Sequence, residues 1–472
     1  MNIFSRIILF LLIINSNSVR SQEIEKTRLL VLTDIENEPD DAQSLVRLLC
    51  YANHFEIEGL VATTSTWMRK EVADWRIHEI VDAYAKVRDN LEVHEKGFAT
   101  GAELKDKIKK GRSVFGMEGV GVGHDSEGSE WLISTLEKED DRPLWITAWG
   151  GTNVLAQALW KMERTKSSGE LNRLISKMRV YTISDQDDSG PWIRENYPNL
   201  FYIVSPGYEE NGGGQYHYAT WSGISGDRFH GRFDGPDFSL VDNCWLDENI
   251  RQNHGPLGAE HPHTDYLMEG DTPSFLGLVQ NGLNDLENPN YGGWGGRYEL
   301  YIPPYKKYMY QTESRPIWTN AQDEVYSELT KQQHTSNHAT IWRWRQAYQH
   351  DFAARMDWSN TSEFEEVNHP PIAKLSHSNE LIVYSGDIIS LNADGSSDPD
   401  GDELNYHWIY YREVGTLNPS PEFEVNNQQK ISFETQEVQS AKTAHFILEV
   451  TDNGTPALSR YQRVIVNILP KK

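Results

Sequence analysis

Short apolar runs alternate with amphipathic segments over the first two thirds of the chain, and that alternation admits few folds. Residues 29–33, 57–64, 144–148, 180–183 and 201–204 are runs of strand type. Between them Ala42, Leu45, Val46, Leu48 and Leu49 recur at helical spacing. Residues 71–87 do the same with Val72, Trp75, Ile80, Val81 and Tyr84, residues 129–137 read as helix, and Thr152 stands where it can cap a helix starting near Val154. Strands separated by helices give an α/β fold, a mostly parallel sheet with helices on both faces. Ligands of such sheets bind outside the carboxyl ends of the strands. Asp34, Glu36, Thr63, Thr64, Asn153 and Asp185 all follow predicted strands.

The pattern then breaks twice. Residues 205–296 are rich in Gly, Asn, His, Trp and Asp with little periodicity, the mark of functional loops. A helix returns over 337–356, with Trp342 and Trp344 on opposite faces and one of them expected in the core. Near Asn368 the chain changes to short strands separated by turn clusters, at 381–384, 388–391, 404–410, 444–450 and 463–468, which predicts an all-β immunoglobulin-like sandwich. At the other end, Arg6 followed by the apolar run 7–14 and by Val19 and Ser21 reads as a secretory leader. That run is too short to span a bilayer, and no cysteine near it could carry a lipid anchor. The expected division is a leader over 1–21, an α/β domain over 22–367 and a sandwich over 368–472, in an exported protein, periplasmic or secreted. Cys50 and Cys244 are expected to be buried free thiols. The net charge of -26 excludes the basic face that nucleic acid or an anionic membrane requires, and leaves neutral sugars and metal cations as partners.

The chemistry concentrates in Thr33-Asp-Ile-Glu-Asn-Glu-Pro-Asp-Asp-Ala42, where five carboxylates fall within eight residues between a strand and a helix. Like charges so close repel, and a divalent cation with hard oxygen ligands, calcium or magnesium, resolves the conflict. Asp40 and Asp41 also open the helix, where its dipole favours them. The spacing of Asp34, Glu36, Asp40 and Asp41 resembles the Asp-x-Asp-x-x-x-Asp-Asp signature of nucleoside hydrolases. Ile146-Thr-Ala-Trp-Gly-Gly-Thr-Asn153 resembles a second stretch of that family. Closer still is the resemblance to bacterial exported nucleoside-hydrolase-like proteins described as cellulose-binding. It is carried by Glu58-Gly-Leu-Val-Ala-Thr-Thr-Ser-Thr-Trp67, Ser184-Asp-Gln-Asp-Asp-Ser-Gly-Pro-Trp192 and Glu269-Gly-Asp-Thr-Pro-Ser-Phe275. In the C-terminal part Gly395-Ser-Ser-Asp-Pro-Asp-Gly-Asp402 and Val450-Thr-Asp-Asn-Gly454 resemble PKD-type and cadherin-type modules.

The resemblance implies a calcium-dependent hydrolase acting on an N- or O-glycosyl bond of a carbohydrate or nucleoside-like molecule. It implies Glu36 as calcium ligand and base for the attacking water, Asp41 as ligand, Asp40 on sugar hydroxyls and Asp34 in support. The strand-end carbonyl of Ala148 and the late acid Asp271 would complete the calcium sphere. Glu36 stands where the signature has Asp, and Glu38 where the family has Gly, which argues against a ribose-shaped pocket and leaves an O-linked sugar or no turnover open, while export, the sandwich and the many tryptophans suit glycans better than free nucleosides. The alternative is a non-catalytic carbohydrate-binding protein using the same pocket or the sandwich. Asp185, Asp187 and Trp192, with Asn153, are further candidates for sugar contacts, and Trp294 is expected to stand exposed on a flexible Gly-rich loop. His261, His263 and Asp265 have ligand-type spacing but read better as a loop near the site. His124 and Asp125 either line the pocket or start a helix. Asp398, Asp400 and Asp402 read as a surface turn.

Overall fold

The computed structural model describes residues 25–207, 219–226, 235–303, 313–421 and 426–471. The leader expected over 1–21 lies outside them. The main sheet has eight strands: β1 (Thr27–Thr33), β2 (Phe55–Ala62), β3 (Ile108–Lys110), β4 (Leu144–Ala148), β5 (Met178–Ser184), β6 (Phe201–Ser205), β7 (Tyr298–Tyr301) and β8 (Ile317–Asn320). Their order is β3-β2-β1-β4-β5-β6-β8-β7, parallel throughout except where β7 meets β8. β1 is an interior strand of the sheet, and its apolar run is buried on both sides because successive side chains face opposite ways. Leu29 and Val31 enter one core cluster, Leu30 and Leu32 the other. This is the expected α/β fold with both faces covered.

Two helices matter for the site: α1 (Pro39–Cys50) and α2 (Asp74–Ala85). In α1 Pro39 occupies the first position, where its missing N–H costs nothing, and the acids Asp40 and Asp41 fill the first turn. Every residue from Asp41 to Cys50 is buried, Arg47 included. The helix expected over 337–356 divides into Ala339–Trp342 and Arg345–Asn360, and Trp342 and Trp344 are both buried. Thr152 makes no side-chain cap; its hydroxyl instead pairs with Ser189 Oγ at 2.7 Å. The expectation of two buried thiols is half corrected. Cys50 is buried, but Cys244 is exposed on the one-turn helix Asn243–Leu246, which turns Leu246 inward.

The C-terminal part is a β-sandwich. One sheet orders Glu380–Tyr384, Ser459–Leu469, Lys442–Thr451 and Asn405–Tyr410, and the other pairs Ile388–Asn392 with Lys430–Glu434. Between them lies a core around the fully buried Trp408. A second set of sandwich side chains belongs to the core of the α/β part: Tyr411, Ile447 and Tyr461 pack there with Trp294 and Trp344. Tyr461 meets both tryptophans edge-to-face, at ring separations of 6.3 and 5.7 Å. Tyr411 donates to buried Asp323 at 2.7 Å, and Arg460 reaches Asp351 at 2.6 Å. Trp294 is therefore fully buried, not exposed as its glycine-rich surroundings suggest. The flanking glycines let the loop fold tightly under the sandwich instead of projecting it.

Because the two parts share this core, they should unfold together. Tyr461→Ala is expected to cost about 3–5 kcal/mol, as for other buried aromatic truncations, and to lower the temperature of one transition for the whole molecule. Differential scanning calorimetry checks this; two transitions, only one of them moved, would show independent units.

Candidate metal and carbohydrate site

The site forms where β1 ends and α1 begins. A tight turn, closed by Asn37 N–H donating to the Asp34 carbonyl at 3.0 Å, carries the chain from strand to helix. It sets Asp34 at the floor and Asp40 and Asp41 on the first turn of α1. Thr33 donates its hydroxyl to Asp41. Asp271 arrives from a distant loop. One oxygen each of Asp40, Asp41 and Asp271 lies within 4.8 Å of the others. These three line a cavity of about 30 Å³ together with Asp34, Asn37, Glu38, Trp67, Ile183, Gln186, Trp221 and Leu267. That is room for an ion with one or two waters, not for a whole sugar ring.

The electrostatics are strained. Asp34 and Asp271 are almost fully buried, and neither Asp34 oxygen nor Asp271 Oδ2 has a hydrogen-bond partner of good geometry. Burial pushes Asp34 up to about 7, eased by the Ser65 hydroxyl and raised further by Glu38. Asp40, half-buried at the mouth but closely surrounded, is pushed up to about 8 by burial and by Glu38 and Asp34. Asp41 and Asp271 are held well above the usual carboxylate range, by burial first and then by their acidic neighbours. At two places glycine lets the backbone come close to these carboxyls. A Cβ at Gly150 would lie 2.7 Å from Asp34 Oδ1, and one at Gly270 would lie 2.7 Å from Asp40 Oδ2.

A buried ion pair fastens the two halves of the site. Arg47, two turns along α1 from Asp40, has its guanidinium 2.5 Å from Glu269, with both side chains wholly inaccessible. Glu269 also meets His261 Nε2 at 3.2 Å and accepts from the Thr272 hydroxyl at 3.1 Å, while its own N–H donates to Gln43 at 2.9 Å. Its backbone is left-handed (φ 54°), a conformation that non-glycine residues keep only where the surroundings enforce it. Asp271 follows two residues later, so its position against α1 depends on this clamp. Sequence reasoning missed it, although a lone arginine between Val46 and Leu48 in an otherwise apolar helix was the available signal.

The other expected residues divide. Ala148 ends β4, in register with Leu32 of β1 and Thr182 of β5. Glu36 is not among the converging acids. With φ at 76° it turns outward, and its carboxylate sits 3.0 Å from Arg76 of α2. Asp187 lies behind Asp34: its Oδ1 accepts from Ser189 N–H at 3.0 Å, its Oδ2 is buried without a partner, and burial pushes it up to about 6. Asp185 is consumed by a bidentate pair with Arg194 at 2.7 and 2.8 Å, so its oxygens face that guanidinium and not a ligand. Asn153 spends its amide on Thr63, Thr64 and the Val114 carbonyl, pinning the loops after β2 and β4. Trp192 packs edge-to-face on Tyr197 and does not line the cavity. His261 and His263 diverge, one to buried Glu269 and the other, exposed, to Asp247. Asp125 accepts from Gln157 and Lys161.

A parallel α/β sheet with an acidic pocket at its carboxyl edge and a β-sandwich docked on the far part of the chain defines a nucleoside-hydrolase-like class of protein. Residues 28–298 match the model of the family "Cellulose-binding Sde182, nucleoside hydrolase-like domain", and residues 388–468 match "Cellulose-binding protein Sde0182, C-terminal domain". A solved structure from Saccharophagus degradans, described as a nucleoside hydrolase-related hypothetical protein associated with carbohydrate metabolism, is 35% identical. It covers 94% of this chain and 100% of its own, with a TM-score of 0.77. The chain belongs to this Sde182 nucleoside-hydrolase-like family. A PKD domain from the KIAA 1837 protein matches over 21% of this chain and 89% of its own (18% identity, TM-score 0.17). The effector protein XOO4466 matches over 71% and 94% (9% identity, TM-score 0.31). Both likenesses are too slight to add to the argument. No curated protein matches the chain.

Removing one partner of the Arg47–Glu269 pair leaves a buried charge unpaired. Glu269→Ala should cost about 3–5 kcal/mol in denaturant unfolding, and replacing both residues by methionine should recover most of that loss. A loss below about 1 kcal/mol would show that the pair does not hold the site together.

Proposed function

We propose that Asp40, Asp41 and Asp271 hold a divalent cation, calcium, and that the protein works on a carbohydrate at that cation as an exported hydrolase of glycosyl bonds. The observation that carries the reading is the meeting of these three carboxylates in one cavity beside Asp34, with buried oxygens of Asp34 and Asp271 that lack a well-formed hydrogen bond. An all-carboxylate donor set suits a hard cation and not zinc, and the cavity is ion-sized. The Ala148 carbonyl at the neighbouring strand end would add a neutral ligand. A cation so held supplies an activated water and a grip on sugar hydroxyls. The chain's own groups do the rest. Asp40 at the mouth accepts from a hydroxyl presented there, Asp34 supports the floor, and the carboxylates stabilise the positive charge that glycosidic cleavage develops on the ring. Buried Trp221 and the more exposed Trp67 line the cavity. The family's cellulose-binding description favours a polysaccharide-derived sugar over a free nucleoside.

Glu36 is the proposed base, and to serve it must leave Arg76 and turn into the cavity. The same 3.0 Å ion pair favours a second reading, in which the pocket binds sugar without turnover. Export rests on the leader read over 1–21; no helix of the described residues is long and apolar enough to cross a membrane.

Calorimetry should show calcium binding to the mature chain, weakened at least a hundredfold in Asp41→Ala; absence of binding in the wild type overturns the metal reading. Turnover of a glycoside or nucleoside that Glu36→Gln abolishes while ligand is still bound supports hydrolysis, and binding without turnover supports the second reading.

Stability against pH tests the charge argument separately. Asp34 and Asp40 hold protons in the folded state up to about pH 7 and 8, whereas the unfolded chain has lost them near 4. The native state thus binds more protons, and without calcium the melting temperature should fall from pH 7 to 8.5. His54 and His445, lowered to about 4 by burial, are neutral there and do not offset it. Calcium displaces those protons, so its stabilising effect should grow over the same range. A calcium effect independent of pH would place the ion elsewhere.

A further inference from the structure

The chain has fifteen tryptophans, all within the described residues, and only two are exposed: Trp67 (42%) and Trp75 (53%). Both stand beside the acidic turn. Trp67 lines the acidic cavity. Trp75, on the first turn of α2, lines an open groove of about 430 Å³ with Glu36, Asn37, Glu38, Pro39, Arg76 and Glu79. Asn37 and Glu38 line both concavities, so the cavity and the groove are separated only by that turn. Leaving an indole partly in water forgoes apolar burial, and exposed indoles on two adjoining concavities mark a contact surface. No unpaired cation softens the groove: Arg76 is already shared by Glu36 at 3.0 Å, Glu79 at 3.2 Å and Glu260 at 2.5 Å.

We propose that this groove is a second sugar-binding segment continuous with the acidic cavity, in which Trp75 stacks a ring of a neutral oligosaccharide whose end passes Trp67 at the cavity. The inference rests on the reading that the acidic site takes a sugar, and it names the ligand class: a chain of uncharged pyranoses, not a nucleoside or an acidic glycan. The indole faces take the apolar face of a ring, while Glu36, Glu38 and Glu79 accept from hydroxyls and repel phosphate, uronate or sulfate. The ion-sized cavity admits a terminal group only, so the length of the ligand must lie along the groove.

The test is calorimetry of the mature protein, with calcium, against cello-, xylo-, manno- and laminari-oligosaccharides of one to six units, with inosine and an oligogalacturonate as comparisons. Wild type, Trp67→Ala, Trp75→Ala and Trp160→Ala, a half-buried tryptophan outside the groove, are compared. At least one neutral series should bind more tightly as the chain lengthens, and Trp75→Ala should weaken its hexamer about tenfold while leaving the monosaccharide, calcium binding and the Trp160→Ala control unchanged. Equal affinity of Trp75→Ala and wild type for every oligosaccharide, preference for inosine or oligogalacturonate, or no binding in any neutral series overturns the groove, and retained calcium binding then leaves the metal reading standing. Tryptophan-dependent oligosaccharide binding in a protein that ignores calcium establishes the groove and removes the metal.

Discussion

Three buried carboxyls, Asp34, Asp41 and Asp271, meet the half-buried Asp40 at the carboxyl edge of the sheet, and the contacts around them hold that arrangement. Each alone is costly to bury, and each raises the others. Arg47 and Glu269 tie the loop of Asp271 to α1 through a pair buried beneath the site. An ion pair of this kind adds little net stability but specifies one arrangement, because any shift leaves a charge unpaired in the core. Gly150 and Gly270 complete the arrangement by letting backbone approach where a side chain would displace the acids.

The sandwich serves the same end from a distance. Its sheet edge fills the core beside the loops 277–297, with Arg463 donating to the carbonyls of Leu283, Tyr291 and Gly292 at 2.9–3.0 Å. Those loops bury Leu278, Val279, Leu283 and Trp294 in the same core, and the sandwich covers them from outside. The descent from Pro273 to β7 is thereby fixed, and with it the segment that follows Asp271.

The fold was legible where burial is two-sided. The central strands are continuous apolar runs because both their faces are covered, and the first acidic cluster stood out because nothing else explains charge after a buried strand. β7 and β8 were missed because an edge pair such as Tyr298–Tyr301 and Ile317–Asn320 mixes polar and aromatic residues with no long run. At the site, sequence named the acids but not their directions. Asp185 looks like Asp34 in its setting after a strand, yet Arg194, nine residues on, takes both its oxygens. Trp294 looks like a loop-tip aromatic among glycines, yet Tyr461 covers it from 167 residues away. Long-range partners of this sort leave no local signature.

Glu36 shows how far a direction can matter. Its left-handed backbone costs of order 1–3 kcal/mol in a residue with a side chain. That conformation closes the turn that lets Asp34 sit on the floor while Asp40 and Asp41 begin the helix. The same backbone points Glu36 at α2, where Arg76 meets it, instead of at the ion-sized cavity. Arg76 is shared among three carboxylates, so losing one of them still leaves its charge balanced, and the half-exposed Glu36 pair is weak in itself. The acid is thus held at the boundary between cavity and groove by a contact that a ligand could outcompete. A sugar chain lying over Trp75 would cross that contact, so the group that decides between turnover and binding stands where the ligand itself can displace it.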